Sequence, residues 1–180
     1  MTFPLIGLLS DSHDQVHYLD QVVTYFNEQQ VGLVIHCGDW VSPFTLRYFT
    51  QLNAPLYGVF GNNDGEKWGH RGIGNHLKEA GLRLTMEDVF LSLNEYGKRI
   101  AVYHGTAPKL VEALVKCGDY DVVFYGHNHI AKVEQIGDVI SMNPGTLLDM
   151  TNPGIVDGAS FGTYDPNTHT GRLIRLMELA

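Results

Sequence analysis

The sequence predicts an α/β (α+β) fold in which two mixed β-sheets pack against each other and helices flank them. Short apolar segments typical of buried strands alternate with helical patterns in the first half of the chain, and strand-like segments predominate in the second half. Polar residues directly follow several of these strands, as at the ligand-binding edge of α/β sheets. Because 180 residues with 44% hydrophobic content suffice for one sizeable core, we expect a single domain over residues 1–180.

The first half is predicted to consist of β-α units. Apolar residues recur at helical spacing over residues 15–30, which predicts a helix with one buried face, and Asp14 is a candidate cap for it. Ser42 and Pro43 have the residue types of an N-cap and a first helical position, so a second helix is expected to about Leu52. The strands predicted here are Leu5–Leu9, Leu33–Ile35 and Leu56–Phe60.

The middle of the chain is predicted to contain a loop, a hairpin and a third main helix. Residues 66–74 include three glycines and show no clear period, so we expect a surface loop there and a short helix over residues 75–80. Segments Val89–Leu93 and Arg99–Tyr103 should pair as a hairpin, and a helix should follow over Pro108–Lys116.

The C-terminal half of the chain is predicted to be mostly antiparallel β-structure. Glycine, aspartate and proline separate short segments that are rich in β-branched and aromatic residues. We therefore expect the β-α start and the β-rich end to form two separate sheets. The predicted strands are Asp121–Tyr125, Ala131–Ile136, Val139–Met142, Ser160–Tyr164 and Arg172–Met177.

Charge and cysteine content limit the classes of partner and compartment. A formal net charge of −8 repels nucleic acid at long range, so an extended nucleic-acid surface is not expected, although a local cationic site could still attract phosphate. Cys37 and Cys117 lack metal-like spacing and lie in or beside apolar segments, which favours buried, reduced thiols and a cytoplasmic location. We expect neither a targeting segment nor membrane association, because no apolar run is long enough to span a bilayer.

The segment Gly126-His127-Asn128-His129 is the first candidate for a functional site. It follows the apolar run 121–125, and two histidines at positions i and i+2 of an extended backbone would point to the same side. Gly126 would allow the sharp turn that presents both imidazoles to one metal ion. An isolated pair of this kind is more often a solvated loop, so the assignment depends on the residues that accompany it.

Four more polar clusters follow predicted strands, and the order of all five along the chain is informative. They are Asp11-Ser12-His13, Gly38-Asp39, Gly61-Asn62-Asn63-Asp64, His104-Gly105 and Gly126-His127-Asn128-His129. This series resembles the D-x-H, G-D, G-N-x-D, H-G and G-H-x-H motifs of the calcineurin-like metallophosphoesterases, and in particular their compact bacterial and archaeal phosphodiesterase branch. Asn143-Pro144-Gly145 is similar to a turn near the site of that family.

The resemblance implies a site for two divalent metal ions. One metal would be held by Asp11, His13, Asp39 and His129, and Asp39 would reach across to a second metal held by Asn62, His104 and His127. A carboxylate has two oxygens and can bridge two cations, whereas an imidazole or amide cannot. This donor set suits Mn, Fe, Co, Ni or Zn better than Ca or Mg, and family analogy favours manganese. The implied reaction is in-line attack on the phosphorus of a small phosphate ester by a hydroxide that bridges the metals.

Two positions depart from the family pattern. Many relatives have a histidine, in a role resembling protonation of the leaving group, where this chain has Asn63, and an amide cannot act as that acid. The H-G-H of the compact branch is here His104-Gly105-Thr106. We therefore expect Asn63 and Thr106 to face the substrate, and His70 is a candidate substitute acid, with Trp68 as a further possible substrate contact.

Each of these residues also has a structural interpretation. Asp11 and Asp64 could cap helices or close turns, and Asn62-Asn63 could supply left-handed turn residues. His36 is expected in the core or behind the ligands, and Cys37 is expected to be a small buried filler. His17, His76 and His169 are expected on the surface.

The leading hypothesis is a phosphodiesterase, with two alternatives. A phosphomonoesterase acting on a nucleotide or phosphoprotein needs the same metals, and the same fold also resembles a retromer-coat subunit that binds protein partners. The complete set of seven candidate ligands argues against the second alternative. Exposed β-strand edges near the C-terminus could support a homo-oligomer.

Overall fold

Two packed β-sheets with helices outside form the architecture of residues 2–156 and 158–179, which the computed structural model describes. This arrangement confirms the predicted fold class. In chain order the elements are β1 (Ile6–Leu9), α1 (Val16–Glu28), β2 (Leu33–His36), a first 3₁₀ helix (Pro43–Phe49), β3 (Leu56–Val59), α2 (Lys67–Glu79), β4 (Leu84–Glu87), β5 (Phe90–Glu95), β6 (Lys98–Tyr103), α3 (Pro108–Lys116), β7 (Val122–Phe124), β8 (Lys132–Ile136), β9 (Val139–Asn143), β10 (Ser160–Asp165), β11 (Thr170–Arg175) and a second 3₁₀ helix (Leu176–Glu178).

The first sheet has the strand order β11-β10-β1-β2-β3-β4. Strands β1 to β4 are parallel, and Ile6 of β1 pairs with Leu33 of β2 on one side and with Tyr164 of the antiparallel β10 on the other. The β10-β11 hairpin therefore returns from the end of the chain to the sheet that the chain's start builds. Our expectation that the two ends form separate sheets is wrong in this respect.

The second sheet has the strand order β5-β6-β7-β9-β8. Strands β5 and β6 form the predicted hairpin, and Tyr96 and Gly97 make its turn with φ values of 51° and 71°. Strands β6, β7 and β9 are parallel to one another, and β5 and β8 at the two edges are antiparallel to their neighbours. Most strand pairs of the C-terminal half are therefore antiparallel, as predicted; the exceptions involve β7, which α3 connects to β6 as a crossover helix.

Alternating side chains of the central strands fill two cores. Ile6 and Leu8 of β1 point between the sheets, where they join Phe124 and Met142 of the second sheet in one buried cluster. Leu9 belongs to the other cluster, beneath α1. On that face a Cβ at Gly7 would lie 2.8 Å from the ring of Phe26, so the glycine makes room for an α1 side chain against the strand.

The segment predicted as a loop and a short helix is one continuous helix, α2, and the following strand β4 was not predicted. The buried positions of α2 are His70, Gly74 and Leu77, which have helical spacing. Two of the three are not apolar, so a search for apolar periodicity misses them. Gly74 lies on the core because its missing side chain admits Leu84, whose Cδ2 would be 3.0 Å from an added Cβ.

Three smaller expectations also change. The helix after Ser42 is a short 3₁₀ helix, although Ser42 Oγ caps it by accepting from Phe44 N–H at 3.3 Å. Asp14 does not cap α1; its Oδ1 accepts from Ser42 N–H at 2.8 Å instead. Cys37 is buried as expected, but Cys117 is exposed because α3 ends there at the surface.

Candidate metal centre

The five polar clusters lie at one edge of the molecule. They follow β1, β2 and β3 of the first sheet and β6 and β7 of the second, and parallel strands place their carboxyl ends on the same side. Backbone hydrogen bonds join the clusters directly: Asp11 N–H donates to Gly38 O at 2.9 Å, and Gly126 N–H donates to His104 O at 2.8 Å. All seven predicted ligands are in these joined loops.

Four of the predicted ligands form a tight group. Their donor atoms lie within 4.8 Å of one another, and the group consists of Asp11, His13, Asp39 and His129. His129 Nε2 is 3.3 Å from Asp11 Oδ1 and 3.2 Å from His13 Nε2. Asp11 Oδ1 is buried and has no hydrogen-bond partner among the described residues. A buried carboxylate oxygen facing imidazole nitrogens, without a donor of its own, fits a cation.

The second oxygen of Asp11 is fixed by its neighbours. Asp11 Oδ2 accepts from Ser10 Oγ at 2.5 Å and from the backbone N–H of His127 at 2.9 Å. A Cβ at Gly126 would overlap both Ser10 Oγ and Asp11 Oδ2. Gly126 therefore permits this close approach. Sequence reasoning missed Ser10, whose only signal is its position before Asp11.

Asp39 lies between this group and the other predicted ligands. Its Oδ2 is 3.6 Å from His13 Nε2 and 3.4 Å from His104 Nε2. His104 Nε2 in turn is 3.0 Å from Asn62 Oδ1, and the rings of His104 and His127 have centroids 5.2 Å apart. The structure thus brings all seven side chains together, in two adjoining groups that share Asp39.

Hydrogen bonds position the shared carboxylate and His104 and shift the pKa of each. Burial would raise the pKa of Asp39, but hydrogen bonds from His104 and Asn63 outweigh it and hold that pKa below its ordinary value. Burial likewise opposes charge on His104, yet the hydrogen bond to Asp39 raises the pKa of the imidazole. His104 Nδ1 lies 2.9 Å from Cys37 O, and since a carbonyl only accepts, Nδ1 carries a proton; Nε2, which faces Asp39, is the nitrogen that would bind a metal after giving up its own proton.

Left-handed backbone is concentrated at the candidate ligands. Their φ values are positive, between 43° and 74°, at Asp11, His13, Asp39, His127 and His129. Such conformations cost roughly 1–3 kcal/mol each and persist where the surroundings enforce them. They also correct our picture of the histidine pair: the backbone of His127 and His129 is not extended, so His127 faces His104 while His129 faces Asp11.

Asp64 supports the loop that carries Asp39. Its buried carboxylate accepts from the backbone N–H of Asp39 at 3.0 Å, of Val41 at 2.7 Å and of Gly61 at 2.7 Å. Val41, a β-branched residue, has a φ of 73°. The turn-closing interpretation of Asp64 is therefore correct, and the turn it closes is the one that positions the shared carboxylate.

The expected substrate-facing residues differ in exposure. Asn63 and Thr106 are exposed beside the candidate ligands, and Asn63 Nδ2 donates to Asp39 Oδ2 at 2.7 Å. Trp68 is 86% exposed in the first turn of α2. His70 is completely buried, with Nδ1 donating to Glu66 O at 3.1 Å and its ring against Phe60. Our suggestion that His70 is the acid is therefore wrong, because a substrate cannot reach it.

The remaining histidines are mostly as expected. His36 is buried and stacked on Trp40 with centroids 3.6 Å apart, and it accepts from Gly38 N–H through Nδ1 at 3.1 Å. His17 and His76 are exposed. His169 is half-buried rather than solvated, because Nε2 donates to Asp138 O and Nδ1 accepts from Tyr164 OH.

The turn at residues 143–145 also reaches the site. Asn143 Nδ2 donates to Gly126 O at 3.1 Å and to Asn128 Oδ1 at 2.8 Å. Thr146 Oγ1 donates to Asp11 O at 2.8 Å. These contacts tie the loops that carry Asp11 and the histidine pair to β9.

A search for membrane spans gave a negative result: within the described part of the chain, no helix combines the length and apolar character needed to cross a bilayer.

Comparison with known proteins identifies phosphoesterases among the relatives of this chain. The model of the calcineurin-like phosphoesterase superfamily domain matches residues 5–165. A phosphodiesterase of Methanocaldococcus jannaschii is 37% identical over 156 residues, which cover 84% of this chain and 92% of that protein. A solved archaeal phosphodiesterase superposes with a TM-score of 0.85 at 33% identity, covering 96% of this chain and 99% of that one. Vacuolar protein sorting 29 of Cryptosporidium parvum shares the fold, with a TM-score of 0.58 at 15% identity, covering 97% of each chain.

Proposed function

This chain belongs to the calcineurin-like phosphoesterase superfamily, whose members hydrolyse phosphoric esters, and from that membership we propose that it is a phosphodiesterase with a two-metal centre. The observation that carries the proposal is the position of the Asp39 carboxylate. Its Oδ2 lies within 3.6 Å of one imidazole from each of the two ligand groups, His13 and His104. A carboxylate between two groups of donor atoms suits a bridge between two cations.

The donor atoms suit a pair of transition-metal ions. Asp11 Oδ1, which is buried without a hydrogen-bond partner among the described residues, would gain its missing partner from a cation. Imidazole, carboxylate and amide donors favour Mn, Fe, Co, Ni or Zn, and we propose manganese by analogy with the family. The first ion would bind Asp11, His13, Asp39 and His129, and the second would bind Asp39, Asn62, His104 and His127.

Charge explains why a phosphate ester would bind to an acidic protein. Two divalent ions bring about four positive charges, and the carboxylates of Asp11 and Asp39 offset about two of them, so a local cationic site remains. When bound, such ions act as Lewis acids toward phosphate oxygens and supply a nucleophile from water at neutral pH. The net charge of −8 over the whole chain disfavours a long polyanion such as nucleic acid.

The chain's own residues determine which leaving groups depart readily. Asn63 restrains Asp39 with its amide and cannot donate a proton to an alkoxide, and His70 is buried. General acid help contributes typically about a hundredfold to ten-thousandfold, and leaving groups that are already acidic do not need it. We therefore propose that esters of phenols are hydrolysed much faster than dialkyl phosphates.

Model substrates test the proposal directly. The protein is incubated with Mn and either bis-p-nitrophenyl phosphate or p-nitrophenyl phosphate, before and after addition of a chelator. We expect chelator-sensitive hydrolysis of the diester, at a rate well above that of the monoester. Hydrolysis of the monoester alone would instead assign a phosphomonoesterase, and silence on both substrates with metal bound would contradict hydrolysis altogether.

A variant pair links the activity to the shared carboxylate. Asp39→Asn should abolish hydrolysis and reduce the number of metal ions bound per chain, measured by calorimetry, because an amide cannot bridge two cations. Asp88→Asn is the matched control, since Asp88 is exposed and pairs with Arg71. Full activity in Asp39→Asn would overturn the proposed role.

A further inference from the structure

A cavity of about 250 Å³ adjoins the candidate metal centre between α3 and the second sheet. We call it the α3 pocket. Its walls include Val111 and Val115 of α3, Tyr125 and His127 at the end of β7, Ile136 of β8 and Ser141 of β9. Of the seven candidate metal ligands, His127 is the one that also lines this pocket.

His127 belongs to both the pocket and the candidate metal centre. Its ring packs against His104, with centroids 5.2 Å apart, and so faces the second ligand group. Gly105 and Gly126 also line the pocket, and a Cβ at Gly105 would lie 2.9 Å from Gly126 O. The two loops that carry His104 and His127 therefore touch each other. A group attached to a phosphate at the centre would reach the pocket past His127.

The size and lining of the pocket suit one aromatic ring. An engineered apolar cavity of roughly 150 Å³ in another protein binds benzene, so the volume of about 250 Å³ is ample for a single ring. Val111, Val115 and Ile136 supply apolar walls, and Tyr125 and Ser141 are polar groups within them. Apolar walls with a few polar groups are typical of small-molecule sites.

The charges around the pocket argue against a second phosphate group in it. The two glutamates that line it are already paired with lysines: Glu112 with Lys109 at 3.0 Å and Glu134 with Lys132 at 2.8 Å. Lys116 is the one lysine among the lining residues described, and a single solvated ammonium binds an anion weakly. An uncharged group therefore fits this pocket better than a further phosphate.

We infer that the α3 pocket binds one ester group of the substrate, and that this group is uncharged and about as large as an aromatic ring. The inference rests on the proposed phosphodiesterase function and narrows it. The favoured substrates are diesters in which at least one ester group is aromatic or similarly planar. Diesters of small alkyl alcohols would leave the pocket empty.

Binding of two non-chromogenic anions tests the inference without relying on turnover. Dibenzylphosphinate and diethylphosphinate are titrated into the manganese-loaded protein by isothermal calorimetry; in these analogues a CH₂ group replaces each ester oxygen of diphenyl and dimethyl phosphate, so neither can be hydrolysed. We expect dibenzylphosphinate to bind about tenfold more tightly or better, because one of its rings displaces water from the pocket. Val111→Trp and Ile136→Trp each fill the pocket, one from α3 and one from β8, and should remove this preference. If Val111→Trp does not fold, Ile136→Trp still tests the inference, because Ile136 is partly exposed and its site tolerates a larger side chain.

Leu110→Trp is the matched control. Leu110 precedes Val111 on α3 but is 52% exposed and lines a different groove with Val89 and Phe90. This variant should keep the preference for dibenzylphosphinate. Equal affinity of the wild type for both anions, or a preference that survives in both filling variants, would overturn the inference.

Parallel assays with bis-p-nitrophenyl phosphate separate this inference from the proposed function. A wild-type protein that hydrolyses the diester but shows no preference for dibenzylphosphinate would refute the pocket's role alone. A wild-type protein that does not hydrolyse the diester would refute the proposed function, and the inference with it.

Discussion

Asp64→Asn should both destabilise the fold and weaken metal binding. The carboxylate of Asp64 accepts from three backbone amides, those of Asp39, Val41 and Gly61, and it is 2% exposed. Two of these residues, Asp39 and Val41, have positive φ. The substitution keeps the shape of the side chain but replaces one accepting oxygen with a donating NH₂ group.

The magnitude follows from the geometry. In the best orientation, the single amide oxygen takes the place of Oδ2 and keeps the hydrogen bonds from the backbone N–H groups of Asp39 and Gly61. The NH₂ group then takes the place of Oδ1, 2.7 Å from the backbone nitrogen of Val41, so that two donors face each other. A hydrogen bond to a charged group is worth about 1.5–3 kcal/mol, and an unsatisfied buried donor costs about 1–3 kcal/mol. Allowing for relaxation, we expect a loss of about 2–4 kcal/mol in the free energy of unfolding.

The measurement uses chemical unfolding in the presence of a chelator, followed by calorimetric titration of Mn into the folded protein. Asp88→Asn serves as the control, because its exposed ion pair with Arg71 contributes little. We expect Asp64→Asn to bind Mn more weakly, since Asp39 is no longer held in its strained conformation. Stability and Mn affinity equal to those of Asp88→Asn would refute the reasoning.

Three further predictions concern glycine positions and pH. Gly126→Ala should lower Mn affinity, measured by calorimetry, because its methyl group would overlap Ser10 Oγ and Asp11 Oδ2; unchanged affinity would contradict the close approach. Gly72→Ala, in the interior of α2 with open space around it, should instead raise the free energy of unfolding by about 0.5–1 kcal/mol, and a loss would argue against a stable helix there. Burial lowers the pKa of His36 well below its ordinary value of 6.5. The buried neutral imidazole therefore makes its full contribution to the free energy of unfolding above pH 6.5. As the pH falls below 6.5, that contribution should decline by about 1.4 kcal/mol per pH unit. Unfolding of the metal-free protein and of His36→Gln across pH 5–8 measures this difference, which would be absent if His36 were solvated.

The order of elements was largely predictable because most of them have a clear period. Residues 16–28 form α1 with Leu19, Val22, Val23 and Phe26 buried, at the helical spacing expected of them. The exception is α2, whose buried face includes His70 and Gly74. A histidine that packs on Phe60 and a glycine that admits Leu84 have no apolar signal of their own, because each depends on a distant neighbour.

The clusters of chemical residues were also predictable, since each directly follows a strand. The two-metal assignment to these residues stays a prediction, but the structure does bring all seven side chains together. Their supporting contacts were not predictable. Ser10 and Asp64 act on Asp11 and on backbone amides through distances set by folding, and residue type alone does not show which donor an oxygen will meet.

The amino-acid sequence by itself determined the strand and helix periods, the polar residues at strand ends, and hence the kind of chemistry available, because these depend on residues near one another in the chain. Only the tertiary structure decided that β10 and β11 return beside β1, that His70 is buried, and that His127 and His129 face different partners. These features depend on contacts between residues far apart in the chain, whose distances are set by the packing of the two sheets.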